Sequence, residues 1–563
     1  MVLSKHVDVE QLIKDAQEHP HLKHTGNPKS RARQVVAYSG RYQTEALPRY
    51  EFPSNGVSEP AAYHTIKGEL ALDGSPTLNL ASFVHTSMPD YATKLVSEHL
   101  NINIVDQDEY PATLDIHDRC VSMIADLWKA PKKKPDGSRS QAVGTATTGS
   151  SEAIMLGGLA MKRRWQDKMK AAGKSWKEPG PNVVFGSNAQ VCIEKFARYF
   201  DVEGRLVPIS EESNYCLNPK LIESMVDENT IGVIVILGST YTGHYEPVEE
   251  VAKILDDIQA RTGLDIPIHV DGASGGFVAP FAHPHLKWNF EIPRVVSINS
   301  SGHKFGMVYA GLGWIIWRDQ EHLHKDLIFE LHYLGSVEYS FNLNFSRPAA
   351  PVLAQYFNFI NLGFKGYRNV MVADMANARL LSRALESSGY FLVLSDIHRP
   401  RNTISNAAVK TGIVDEDDPE YYVPGLPVVS FRLTDEYKKK NPHVDQKWIQ
   451  TLLRARHGFI VPNYNLSPNL EHIDILRVVC RENLSESMID QLVHDILSIV
   501  EDLADASSTT SALAALMHKE PGQAQGQSKH GHKHSHHSTK LTKELHHLGE
   551  GQGTKPVGYA KQC

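Results

Sequence analysis

Five short apolar runs recur between residues 78 and 375: NVVFG, IGVIVILGS, IPIHVDG, RVVSINS and GLGWIIW. They alternate with helical segments. Alternation of this kind predicts an α/β fold, a mostly parallel sheet with helices on both faces. The longest run, IGVIVILG at 231–238, is too short to span a bilayer but suits a buried parallel strand. Farther on, LPVVSFRLT (426–434), a helical stretch near 445–457 and IDILRVVC (473–480) predict a smaller α+β unit. The helix ESMIDQLVHDILSIVEDLADA closes it.

Four segments follow: an N-terminal arm (1–77), a large α/β domain (78–375), a small α+β C-terminal domain (376–504) and a tail (505–563). The tail is rich in Ser, Gly, Gln and His and cannot bury a core; its HGHKHSHH run is read as solvated and disordered. Lys and Arg total 58 against 65 Asp and Glu, a net charge of −7, so no basic excess recommends nucleic acid. The N-terminus carries charge every few residues and lacks an apolar signal core, so neither secretion nor membrane insertion is expected. Five scattered cysteines without CxxC pairs favour reduced thiols and a cytoplasmic location. His283 and His285 have no evident third ligand, so no metal site is expected.

Lys304, in SINSSGHKFG, comes off the end of an apolar strand, an unusual place for a residue that ordinarily seeks water. Upstream, HVDGASGGF ends a strand on Asp271 and continues in small residues, with Ala273 two positions on. In open parallel sheets ligands sit beyond the carboxyl ends of strands. A lysine and a carboxylate in that setting fit pyridoxal 5'-phosphate: the amine forms a Schiff base and the acid keeps the ring nitrogen protonated. Gly149-Ser150-Ser151 opens an apolar-periodic helix, whose free N–H groups and hydroxyls suit a phosphate. Standing alone, that stretch reads as ordinary capping. Neither glycine-containing segment has the spacing of a nucleotide P-loop.

The motifs GSSEAIMLGGLAMK, KFARYFDVE, TYTGHYE, HVDGASGGF, SGHKFG and NFSRP, in that order along the chain, resemble the pyridoxal-phosphate-dependent glutamate decarboxylases over residues 30 to 500. The resemblance implies a fold-type I PLP-dependent transferase-like architecture. It also implies a carboxy-lyase that converts L-glutamate to 4-aminobutanoate and carbon dioxide. Lys304 would hold the cofactor and Asp271 its ring nitrogen. Ala273 and Gln190 would flank the ring, with Thr240 close by. Ser150, Ser151, Ser301 and His303 would hold the phosphate, with Ser346 arriving from a neighbouring subunit, so that a complete site needs a homodimer or a homohexamer. Arg477 would grip the α-carboxylate. The distal carboxylate would meet Ser82 and Phe83, with Asn103 and Asp106 from the second subunit. An acid beside an anionic group shares a proton with it, which implies activity at mildly acidic pH.

LHYLGSVEYSF (331–341) matches the family's mobile flap, where Tyr333 would close over the site and serve in protonation. The tail departs from the family. No Trp lies beyond Trp448, whereas the plant forms end in a Trp- and Lys-bearing calmodulin-binding helix, so calmodulin as a partner rests on scattered basic residues alone. Another pyridoxal-phosphate decarboxylase, lyase or transaminase, and a catalytically idle scaffold of the same fold, are the rival readings.

Overall fold

The computed structural model describes residues 52–133, 137–138, 140–331, 338–401 and 418–505. Tyr333, most of the N-terminal arm and the tail, with its histidines and any calmodulin-binding segment, lie outside these residues. Residues 52–79 belong to a unit of their own, in which Glu59–Leu70 is helical.

From Leu80 onward the centre is a seven-stranded sheet. Its strands are β1 (Val143–Thr147), β2 (Asn182–Gly186), β3 (Glu203–Val207), β4 (Thr230–Ile236), β5 (Ile268–Asp271), β6 (Val295–Ser301) and β7 (Gly313–Trp317). The order across the sheet is β1-β7-β6-β5-β4-β2-β3. Pairing is parallel from β3 to β6, and only β7 runs against its two neighbours. The link from β6 to β7, residues 302–312, contains no helix and is too short for a crossover, so the chain turns back on itself.

All five runs seen in the sequence are strands; β1 and β3 are additional. Every residue of β4, β5, β6 and β7 is buried. Ile231, Val233, Ile234, Val235 and Ile236 of β4 each contribute roughly 1.5–3 kcal/mol by leaving water. Trp314 and Trp317 are core residues of β7. The helix Ser150–Ala171 packs on β6 and β7, and Pro111–Leu127 on β1. Glycines 157 and 158 lie where that first helix meets rings: a Cβ would stand 2.7 Å from His269 Cε1 at one and 2.5 Å from Phe196 Cε2 at the other.

Past a two-stranded ribbon, β8 (Phe329–Leu331) with β9 (Glu338–Ser340), the chain enters the long helix Ala350–Ser387, which kinks at Gly363 (φ 58°). A smaller antiparallel sheet follows, ordered β10 (Phe391–Val393), β11 (Val428–Leu433), β13 (Asp474–Val479), β12 (Asn463–Asn465). Helices Lys447–His457 and Glu486–Asp505 accompany it, as the sequence predicts. No helix among the described residues is long and apolar enough to cross a membrane.

Candidate active site

The carboxyl ends of β1, β2, β4, β5 and β6 open onto one cavity of about 270 Å³. Lys304 and Asp271 both line it, at 8% and 4% exposure. The Lys304 amine lies 3.5 Å from Ser274 Oγ and 5.3 Å from the centre of the Phe83 ring. Asp271 Oδ1 accepts from the Ala273 N–H and from Asn299 Nδ2, each at 3.0 Å. Ala273 in turn accepts from the Ser301 N–H at 3.0 Å, which ties the β5 loop to the end of β6.

Ser150 and Ser151 open the helix at the cavity wall, where first-turn N–H groups have no partner within the helix. Ser301 Oγ donates to Ser150 Oγ at 2.8 Å. His303 Nδ1 donates to Leu312 O at 2.7 Å, and burial with the nearby Lys304 charge pushes its pKa down to about 4. The seat exists because position 313 is glycine: a Cβ there would stand 2.6 Å from Ser150 N and 2.7 Å from Gly149 O. Glu152, buried in the same first turn, accepts from Thr148 N (2.8 Å), Leu343 N (3.0 Å) and Asn344 N (3.2 Å), fastening the start of the NFSRP segment to the loop.

Gln190 lines the cavity and caps its own helix, Oε1 accepting from Cys192 N at 2.8 Å. Thr240 lines it too, and its carbonyl accepts from Arg477 Nη1 at 2.6 Å. Arg477 Nη2 donates to Ala81 O, and the guanidinium lies 4.9 Å from the centre of the Phe83 ring. Its buried Nε has no partner among the described residues. The Phe83 ring is thus a neighbour of both the amine and the guanidinium. Ser82 Oγ accepts from Val84 N at 3.0 Å in a local turn.

Of the residues singled out in the sequence, Asn103, Asp106 and Ser346 do not line this cavity, and neither do Ser82, Phe83, Ser301 and Arg477. Asn103 and Ser346 meet instead, Nδ2 to Oγ at 3.4 Å, and Asn103 Oδ1 accepts from Arg347 N at 3.0 Å. Sequence reasoning missed Asn188, Gly238, Glu152 and Glu246. Glu246 is wholly buried and accepts from Ile236 N (2.7 Å), Leu217 N (3.0 Å) and Asn188 Nδ2 (3.0 Å); burial drives its pKa up to about 7.

An amine, a carboxylate and an anion seat in one small cavity match the needs of an aldehyde cofactor bearing a phosphate. The family described as pyridoxal-dependent decarboxylase conserved domain matches residues 64–402. The chain belongs to the pyridoxal-dependent decarboxylases. Among its relatives in that family, it is 46% identical to glutamate decarboxylase of Saccharomyces cerevisiae over 476 residues, covering 81% of this chain and 79% of the relative. With glutamate decarboxylase of Petunia hybrida the identity is 45%, covering 85% and 88%. The solved glutamate decarboxylase of Lactobacillus brevis superposes with a TM-score of 0.73 at 35% identity, covering 83% of this chain and 98% of that one. The cofactor of this decarboxylase is pyridoxal phosphate, and the cavity residues fit it: among the described residues, the Asn188 Oδ1 on its wall is buried without a partner, as is Arg477 Nε nearby.

Proposed function

We propose that this decarboxylase removes the α-carboxylate of L-glutamate, giving 4-aminobutanoate and carbon dioxide. One observation carries the reading: Lys304, Asp271 and the Gly149–Ser151 helix start converge on one cavity, with Arg477 joined to its wall through Thr240. Bound pyridoxal phosphate supplies an aldehyde and an electron-withdrawing ring that accepts the charge left by the departing carboxylate.

The chain's own residues do the rest. Lys304 provides the amine for attachment from a buried position. Asp271 offers a carboxylate to the ring nitrogen, while Ala273 and Gln190 bound the ring. Ser150, Ser151, Ser301 and His303 receive the phosphate. Because His303 Nδ1 already donates to Leu312, its Nε2 can donate to an anion only when the ring is protonated, which the anion's charge favours. Arg477 has donor capacity left at Nε and orients the α-carboxylate, holding the bond to be broken in the geometry for cleavage.

Ser82 and Phe83 are assigned to the distal carboxylate. Asn103, Asp106 and Ser346 are assigned to the cavity of a second copy, which makes the working unit at least a dimer; the arm 1–77 would join dimers into a hexamer. Support comes from their grouping: Asn103 Nδ2 meets Ser346 Oγ, and Asp106 N donates to Asn103 O at 3.2 Å. Tyr333 is assigned to the returning proton; the ribbon that flanks it is held by Gln107 Nε2 donating to Tyr339 O at 3.1 Å. A reducing, cytoplasmic setting is supported by four buried thiols, Cys120, Cys192, Cys216 and Cys480, none in a disulfide.

The test is product analysis on purified, cofactor-supplemented protein given glutamate or aspartate. Carbon dioxide and 4-aminobutanoate from glutamate support the reading. Keto-acid formation without carbon dioxide would replace it with transamination.

A further inference from the structure

Beneath Asp271 lies a row of polar groups that no step so far has used. On adjacent strands β5 and β6, His269 pairs with Ser297 and Asp271 with Asn299, so all four share one face of the sheet. All are buried; His269 and Asn299 have no exposure at all. Asn299 Nδ2 lies 3.0 Å from Asp271 Oδ1, Asn299 Oδ1 lies 2.8 Å from His269 Nε2, and His269 Nδ1 lies 2.7 Å from Ser297 Oγ.

The proton positions in this row follow from its last member. An ionised carboxylate only accepts, so Asn299 must turn its amide nitrogen to Asp271 and its oxygen to the imidazole. That oxygen also only accepts, so His269 carries its proton on Nε2. Burial lowers the imidazole's pKa and keeps the ring neutral, although the Asp271 charge opposes this. A neutral ring with its proton on Nε2 has a bare Nδ1, which accepts from the Ser297 hydroxyl. Every donor in the row therefore points toward Asp271. The row is also a built feature of the fold: Gly157 leaves the imidazole its space, since a Cβ would stand 2.7 Å from Cε1 and 2.8 Å from Nδ1.

We propose that Asn299 and His269 are positioning residues, which with Ser297 form a proton-ordered relay that fixes the orientation of Asp271 toward the cofactor's ring nitrogen. Oδ1 takes both protein donors, Ala273 N and Asn299 Nδ2, and Oδ2 is the oxygen left for the ring. Because the relay is uncharged, it brings no cation of its own to compete with the pyridinium for the carboxylate's charge. The inference rests on the assignment of Asp271 to the ring nitrogen.

The experiment uses holoenzyme loaded with pyridoxal phosphate labelled with ¹⁵N in the ring. Its readouts are the ¹⁵N shift, the visible absorbance, and kcat and KM for glutamate. Asn299→Leu and His269→Leu are expected to move the ¹⁵N signal toward that of an unprotonated ring and to lower kcat on the order of ten- to a hundredfold, with KM held. His269→Gln, which places an amide N–H where Nε2–H stood, is expected to restore both. Wild-type ¹⁵N shift and kcat in folded, cofactor-bound Asn299→Leu and His269→Leu would overturn the relay. Should those variants not fold, Ser297→Ala at the far end takes their place: a smaller shift in the same direction supports the relay, and no shift overturns it. Asp271→Asn separates the two claims. If it leaves the ¹⁵N shift unchanged, the assignment of Asp271 fails; if it moves the shift and the relay variants do not, only the relay fails.

Discussion

Gly313→Ala adds one methyl group at a place where the fold has none to spare. Gly313 pairs with Thr147 of β1 on one side and Ser301 of β6 on the other, directly under the start of the helix Ser150–Ala171. The new Cβ would sit 2.6 Å from Ser150 N and 2.7 Å from Gly149 O, and closer still to Gly149 C. All three atoms are main chain, so no side chain can swing aside. Reaching the 3.4 Å of ordinary contact from 2.6 Å requires Ser150 N to move by about 0.8 Å, and Gly149 C, which is nearer, by more. Overpacking of this kind costs about 1–3 kcal/mol, and at about 1.4 kcal/mol per decade that is roughly a 5- to 150-fold loss. The loss falls on the phosphate seat, so it is read as the Kd for pyridoxal phosphate, from a visible-absorbance titration of apoprotein. Circular dichroism confirms that the apoprotein is folded. Cofactor affinity equal to wild type in folded Gly313→Ala would refute the placement of the phosphate at this helix start.

Two further predictions concern charge. Glu246 has a folded pKa of about 7 against an ordinary 4.5, because burial disfavours the anion. The native state therefore holds this proton more tightly than the unfolded chain: the associated stability is full below about pH 4.5 and is lost as pH rises to about 7. At about 1.4 kcal/mol per unit the loss approaches ~3 kcal/mol, visible as a pH-dependent difference between wild type and Glu246→Gln in urea unfolding; a flat difference would contradict the burial argument. Arg477→Lys keeps the charge but loses the planar fork that reaches both Thr240 and Ala81. Each lost charge-assisted bond is worth about 1.5–3 kcal/mol, so kcat/KM for glutamate is expected to fall at least tenfold, and an unchanged value would remove Arg477 from substrate orientation.

Much of the site was legible because it lies at strand ends. Asp271 and Lys304 stand where apolar runs give way to small residues, and that transition is visible in a sequence. The direction of β7 was not, although the helix-free span 302–312 carried the clue. β1 (VGTAT) and β3 (EGRLV) were hidden for different reasons: the first is short and threonine-rich, the second a charged edge strand. β10 and β12 have three residues each, and β12 is the polar NYN. Glu246 and Gly313 owe their roles to contacts made across the fold, which leave no local pattern. His269 stands two residues before Asp271, yet only strand register reveals that Asn299 links the two.

The most direct measurement is reductive trapping. Borohydride treatment of the cofactor-loaded protein, followed by peptide mass spectrometry, should place a single phosphopyridoxyl group on Lys304 and bleach the visible band. A protein that stays colourless when loaded, or a label on any other lysine, would contradict the account.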